Sequence, residues 1–158
     1  MRAYREHIQD LSGMRRLLVE HFPVALLVGL GGYGWTGDWL CVPVALSTGW
    51  LIDVDHLFDF GYYVFRYYPN VDYRLLNNGG YFKINNKVFV PFHSWELTLL
   101  VLVGGAVAGE AVLGLVAAAA HGAHISQDQI HYRVRGFGYF LISRALSHFR
   151  LESFCVSS

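Results

Sequence analysis

Nine side chains in this 158-residue chain have the types and spacing to do chemistry: His21, Asp53, Asp55, His56, His93, Glu96, His121, His124 and Asp128. His121, His124 and Asp128 stand at i, i+3 and i+7, a spacing that a helix turns onto one stripe. Two imidazoles and a carboxylate presented to one centre are what a metal site needs, although a solvated polar helix end can be spelled the same way. Asp53-Val54-Asp55-His56 follows directly on an apolar run. Two carboxylates so close repel each other unless a cation or proton lies between them, and acidic groups are poor company for the negative end of a helix. A divalent ion would supply the missing charge; helix termination in water is the plainer alternative.

His93 and Glu96 lie one turn apart in Phe92-His93-Ser94-Trp95-Glu96. Ser94 reads as a helix cap with Glu96 in the first turn. The chemical reading makes His93 a ligand and Glu96 a ligand or general base, with Asp53 as a second proton acceptor. His21 precedes an apolar run, where a lone His is more often structural than a ligand; it is the least specific of the candidate metal ligands. His7, His131 and His148 belong to no such cluster. Imidazole and carboxylate donors without thiolate fit zinc, manganese or iron. Six to eight donors exceed one tetrahedral shell, so a pair of ions is a reasonable expectation. Such a centre lowers the pKa of water and clamps an ester or phosphoester oxygen.

These residues need elements that bring them together. Apolar residues make up 54% of the chain and charged ones 15%, against about 25% charged in a typical soluble domain. Lipid is the natural solvent for such a surface. Formal net charge is zero, so no basic field argues for nucleic acid. Eight His outnumber the two Lys, Lys83 and Lys87. Cys41 and Cys155 have no CxxC partner, which leaves thiolate zinc and a disulfide framework unsupported. No signal peptide is read at the N-terminus.

The organisation expected is an all-α membrane protein of one domain, residues 1–158. An amphipathic segment (1–20) precedes a first helical hairpin (21–56), a polar insertion (57–92), a second hairpin (93–128) and an amphipathic basic tail (129–158). The apolar runs Phe22 to Trp35, Trp39 to Ile52, Leu97 to Ala108 and Ala111 to Ala120 are the four arms. Each is shorter than the roughly 20 residues that cross a bilayer, so they are either extended by polar ends or half-inserted. Within the insertion, Tyr81 to Ile84 and Lys87 to Val90 flank Asn85-Asn86 and suggest a small β-hairpin. Tyr132 to Phe154 reads as a further surface helix. Trp35, Trp39 and Trp50 suit interfacial anchors.

Charge sorts with this layout. Every Lys and Arg lies in the N-terminal segment, the insertion or the tail, whereas the turns at Gly37-Asp38 and Gly109-Glu110 carry only acidic residues. Two hairpins place the basic regions together, on the cytoplasmic side of an inner membrane by the positive-inside rule. All the chemical residues lie at that same end.

Gly49-Trp50-Leu51-Ile52-Asp53-Val54-Asp55-His56 resembles the D-x-D-H element of the membrane-bound metal-dependent hydrolase family. The order is similar too: His21 before an apolar helix, then Asp53 to His56, His93-Ser94 opening a helix, and His124 to Asp128. The resemblance covers roughly His21 to Asp128 and rests on motif order. Where family members often carry His-Arg shortly before the His-Ser, this chain has Val88-Phe89-Val90-Pro91-Phe92. The resemblance implies hydrolysis of a small-molecule or lipid phosphoester. A non-catalytic metal sensor or carrier, and a structural membrane protein, are the competing expectations.

Overall fold

A computed structural model describes residues 20–132, 134 and 136–154. The expected amphipathic helix over 1–20 therefore lies outside the described residues, Glu20 excepted, as do His7 and Cys155. The chain is all-helical, with no strand among the described residues.

Helix α1, Phe22–Thr36, starts with Pro23 in its first turn and stops at Gly37, whose φ of 74° is left-handed. Proline is preorganised for a first turn and glycine for a left-handed stop. Asp38 accepts from the Leu40 amide at 2.9 Å, and α2, Cys41–Gly49, returns along α1. A 3-10 turn, Leu51–Asp55, leads into α3, His56–Tyr67. Two short helices follow, α4 (Leu75–Asn78) and α5 (Gly80–Asn85). After an irregular loop, Ser94 accepts from the Leu97 amide at 3.3 Å and opens α6, Trp95–Val107. Helix α7, Ala111–His131, is the longest, and the tail forms α8 (Leu141–Leu146) and α9 (Leu151–Phe154).

Helices α1, α2, α6 and α7 pack as a bundle whose interior is made of small residues: Cys41, Ala45, Val116 and Ala120. Backbones come close enough that a Cβ on Gly105 would stand 2.5 Å from the Gly114 Cα. Small residues allow such approach, the habit of helices that pack in lipid. The bundle's outer face is apolar, with Leu27, Trp35, Leu100 and Val107 each more than 60% exposed. Yet among the described residues no helix is long and apolar enough to cross a membrane. α1 has 15 residues, a length of about 22 Å at 1.5 Å per residue.

The insertion and tail build a second, aromatic core from Phe60, Tyr63, Tyr81, Phe82, Tyr139 and Phe154, among others. α7 runs from one core into the other: Ala120 belongs to the bundle and Ile125 to the aromatic core. His121 and His124 lie at that junction.

Two expectations are corrected. The β-hairpin at Tyr81–Val90 is absent, because Tyr81, Phe82 and Asn85 are buried on one side of a helix. Asn86, at φ 51°, ends that helix instead of joining strands. Lys87 forms only an isolated bridge, to Arg150 of the tail. Nor is the tail one surface helix. It breaks at His148 and Phe149, both at positive φ, and buries Arg144, Leu151 and Phe154. The tail completes the aromatic core, which a continuous surface helix could not do.

Candidate metal centre

The 3-10 turn after α2 sends Asp53 and Asp55 to different places. Asp55 is fully buried, and its Oδ2 accepts from the Phe92 amide at 2.7 Å and the His93 amide at 3.3 Å. His93 is thereby seated over the turn. Asp53 faces the other edge of the same ring, its Oδ1 3.1 Å from His93 Nε2. From α7, His124 and Asp128 stand one turn apart, with Nε2 and Oδ2 separated by 3.4 Å.

Four donor atoms therefore meet: His93 Nε2, His124 Nε2, Asp53 Oδ1 and Asp128 Oδ2. The two imidazole nitrogens are 3.1 Å apart, and the mixed pairs measure 3.1 to 3.6 Å. All four lie within 4.8 Å of one another. Bonds of about 2.0–2.1 Å at a tetrahedral ion place its ligand atoms about 3.3–3.4 Å apart. The cluster has the size of one such shell.

The rings are held from behind. His124 Nδ1 donates to the Gly49 carbonyl at 2.9 Å, and His93 Nδ1 lies 3.0 and 3.1 Å from the two Asp55 oxygens. With each Nδ1 turned to an acceptor, both Nε2 lone pairs converge on the centre, the arrangement that fixes a metal-binding tautomer. His21 stacks on His124 with ring centroids 4.0 Å apart and sets Nε2 3.3 Å from Asp128 Oδ1. It steadies the carboxylate without joining the four donors.

Charge in the centre is strongly coupled. Burial works against ionisation of Asp53 and Asp128, but hydrogen bonds from the facing histidines hold both carboxyls well below the usual range. Burial likewise opposes charge on His93 and His124; the carboxylates override it and raise both, His124 to about 9. Protons thus do here what a cation would do. Asp53 is the solvent-facing donor, its side chain 23% exposed while the other three are buried. The composition of the donor set fits a divalent ion.

The remaining expected residues fall around this centre. His56 stands at the mouth, with the Tyr81 hydroxyl 3.0 Å from Nδ1 and Asp53 Oδ1 3.6 Å from Nε2. Asp55, His56 and His93 also bring donor atoms within 4.8 Å of one another. Asp55 commits Oδ2 to two amides and to His93 Nδ1, whereas its buried Oδ1 has no hydrogen-bond partner among the described residues. His121 lies apart from the four donors: Nε2 donates to the Phe92 carbonyl at 2.9 Å and Nδ1 accepts from the Thr98 hydroxyl at 2.6 Å. Burial lowers its pKa to about 4, in keeping with a neutral ring used on both sides. Glu96 accepts from the Leu141 and Ile142 amides at 2.9 and 3.0 Å. Its carboxylate caps α8 and is not among the clustered donors.

Two buried residues escaped the sequence reading. Asp59 accepts from the Phe89 and Val90 amides at 2.8 and 2.9 Å. Arg144 donates to the carbonyls of Phe89, Val90 and His93 at 3.0, 3.1 and 2.7 Å. With Asp55 and His121, they tie down the irregular loop that carries His93. The i, i+4 spacing of Asp55 and Asp59 on one helix face was the available signal. No signal distinguished Arg144 from the other basic residues of the tail.

No family model, no curated protein and no solved structure matches this chain.

Proposed function

We propose that this protein is a membrane-embedded, metal-dependent hydrolase acting on an ester or phosphoester near the cytoplasmic membrane face. The convergence of His93 Nε2, His124 Nε2, Asp53 Oδ1 and Asp128 Oδ2 at the spacing of one coordination shell carries this reading. His93, His124 and Asp128 are the buried ligands, a two-imidazole, one-carboxylate set of the kind found at hydrolytic zinc. Asp53 borders the remaining corner and meets solvent, so that corner would be left to water and an approaching substrate. A bound divalent ion would polarise the ester and lower the pKa of water. Asp53 accepts the proton, and His56 borders the same opening. The spacing favours a tetrahedral ion such as zinc over manganese, which prefers six oxygens. The ordered D-x-D-H, His-Ser and H-x-x-x-D motifs support the same family-level reading.

The lipid setting is supported by the apolar outer face of α1 and α6 and by the sorting of basic residues to the site's end of the bundle. A bundle of short helices would enter from the cytoplasmic side and draw the bilayer thinner. One observation favours a second reading. Asp53 Oδ1 stands 3.1 Å from His93 Nε2, a separation that also suits a permanent fourth ligand and hence a non-catalytic metal sensor.

Purified protein is expected to hold one zinc per chain and to cleave an activated phosphodiester or ester. Chelation should abolish turnover, and Zn²⁺ or Mn²⁺ should restore it. Turnover indifferent to exhaustive chelation would end the hydrolase mechanism. Stoichiometric metal with no turnover of any ester would select the sensor.

A further inference from the structure

Helix α3 is inside-out for a protein in water. Its carboxylates, Asp55 at the N-cap and Asp59 in the first turn, are buried. Its outward positions are Leu57, Phe58, Tyr62 and Phe65, exposed by 53, 55, 42 and 86%, and Val54 of the preceding 3-10 turn is 52% exposed. The four helical positions stand at i, i+1, i+5 and i+8, one continuous helical face. Phe92 extends the patch, its ring edge-on to Phe58 at 6.1 Å between centroids. Isolated exposed apolar residues need no explanation, but a contiguous aromatic face does.

Cations border this face. Arg66 NH1 donates to the Tyr62 hydroxyl at 3.4 Å, and Lys87 Nζ stands 5.9 Å from the Tyr62 ring centroid. Arg150 pairs with Lys87 through the backbone and is exposed. Among the described residues neither Arg66 nor Lys87 forms an ion pair. An apolar stripe flanked by unpaired cations, with the acidic groups turned inward, complements an anionic lipid surface. Water satisfies only the cations; a protein partner is not required by either feature.

We propose that α3 lies in the headgroup layer of an anionic phospholipid membrane. Its Leu57–Phe65 face enters the acyl boundary, and Arg66 and Lys87 meet phosphates. Asp53 and His56 adjoin the outward Val54 and Leu57, so this docking sets the mouth of the metal centre at headgroup depth. The inference deepens the proposed function by naming the phosphodiester of a membrane lipid as the group brought to the centre. The docking itself stands whether or not hydrolysis follows.

The test uses full-length protein in bilayers of phosphatidylcholine, with or without phosphatidylglycerol, carrying a fluorophore at Phe65→Cys. Cys155→Ser removes the competing thiol, and Cys41 is buried. Nitroxide placed just below the headgroup should quench the label, more strongly when carried by phosphatidylglycerol. Arg66→Gln and Lys87→Gln should each lower that preference about fivefold, and together about 25-fold. Quenching by aqueous iodide with none from the lipid nitroxide would overturn the proposal. Protection from both quenchers in a cross-linkable dimer would also overturn it, by assigning the face to a second copy of the chain. Metal content is measured on the same samples. Lipid quenching by protein that holds stoichiometric zinc yet cleaves no ester supports the docking while removing the hydrolase reading.

Discussion

His93 and His124 point their Nε2 atoms at each other across 3.1 Å, each with its Nδ1 fixed by an acceptor behind the ring. Two imidazole lone pairs held that close, with two carboxylates beside them, are stable only around a positive charge. His124→Ala or Asp128→Ala should therefore weaken zinc binding by more than about 100-fold, beyond what loss of a supporting group costs. Asp55→Asn leaves all four donors in place but loosens His93. Its expected loss is about 10–100-fold, read by competition with a chromophoric chelator. Equal affinity in Asp55→Asn and wild type would remove Asp55 from the centre's support.

Protons and metal compete for the same atoms. His124 titrates near 9 in the metal-free centre because Asp128 and Asp53 outweigh burial. Zinc affinity should consequently rise about tenfold per pH unit for each proton displaced, from pH 6 towards 9. Metal-free stability runs the other way. A histidine raised above its unfolded value stabilises fully below about 6.5 and loses that contribution as pH climbs through about 9, up to about 3 kcal/mol. Chemical denaturation at pH 6 and 9, with and without zinc, checks both signs. A metal-free protein no weaker at pH 9 would contradict the coupling.

Arg144 binds three carbonyls of the loop that delivers His93. A lysine ammonium cannot reproduce a guanidinium's planar fork. Arg144→Lys should cost about 3 kcal/mol of stability, the scale of a buried charged hydrogen bond. It should also lower metal affinity through His93. The stability change alone, with metal affinity untouched, would show that Arg144 supports the aromatic core and not the centre.

Asp59 grips the same loop from the amide side, and burial raises its pKa to about 6 despite those two hydrogen bonds. A carboxyl raised above its unfolded value destabilises once ionised. Wild type should therefore lose up to about 3 kcal/mol relative to Asp59→Asn as pH rises from about 4 through 6. The difference between the two unfolding curves, measured across that range, isolates this group. A flat difference would mean that Asp59 ionises freely.

Convergence of the His and Asp groups was legible because two apolar hairpins force the arm ends together, whichever helix lengths apply. Their division of labour was not. Asp53 and Asp55 are spelled alike, and only the 3-10 turn sends one to the centre and the other behind His93. His121 shares a stripe with His124, yet Thr98 and the Phe92 carbonyl take both its nitrogens. The two runs flanking Asn85-Asn86 imitated a hairpin, but Tyr81 and Phe82 seek the aromatic core, a demand met here by the short helix α5. Arg144 looked like any basic tail residue, since its partners are backbone carbonyls more than fifty residues away.

Glu96 offers the sharpest separation of structure from chemistry. The sequence makes it a plausible proton acceptor one turn from His93, but both its oxygens receive amides at the start of α8. Those bonds, against the opposing effect of burial, hold its carboxyl below the usual range. Glu96→Gln keeps one acceptor and should cost about 1 kcal/mol, as lost helix caps do. Turnover by the metal-loaded protein should be unchanged, whereas Asp53→Asn should suppress it. A fall in kcat for Glu96→Gln at full metal occupancy would return Glu96 to the reaction and displace Asp53 as the proton acceptor.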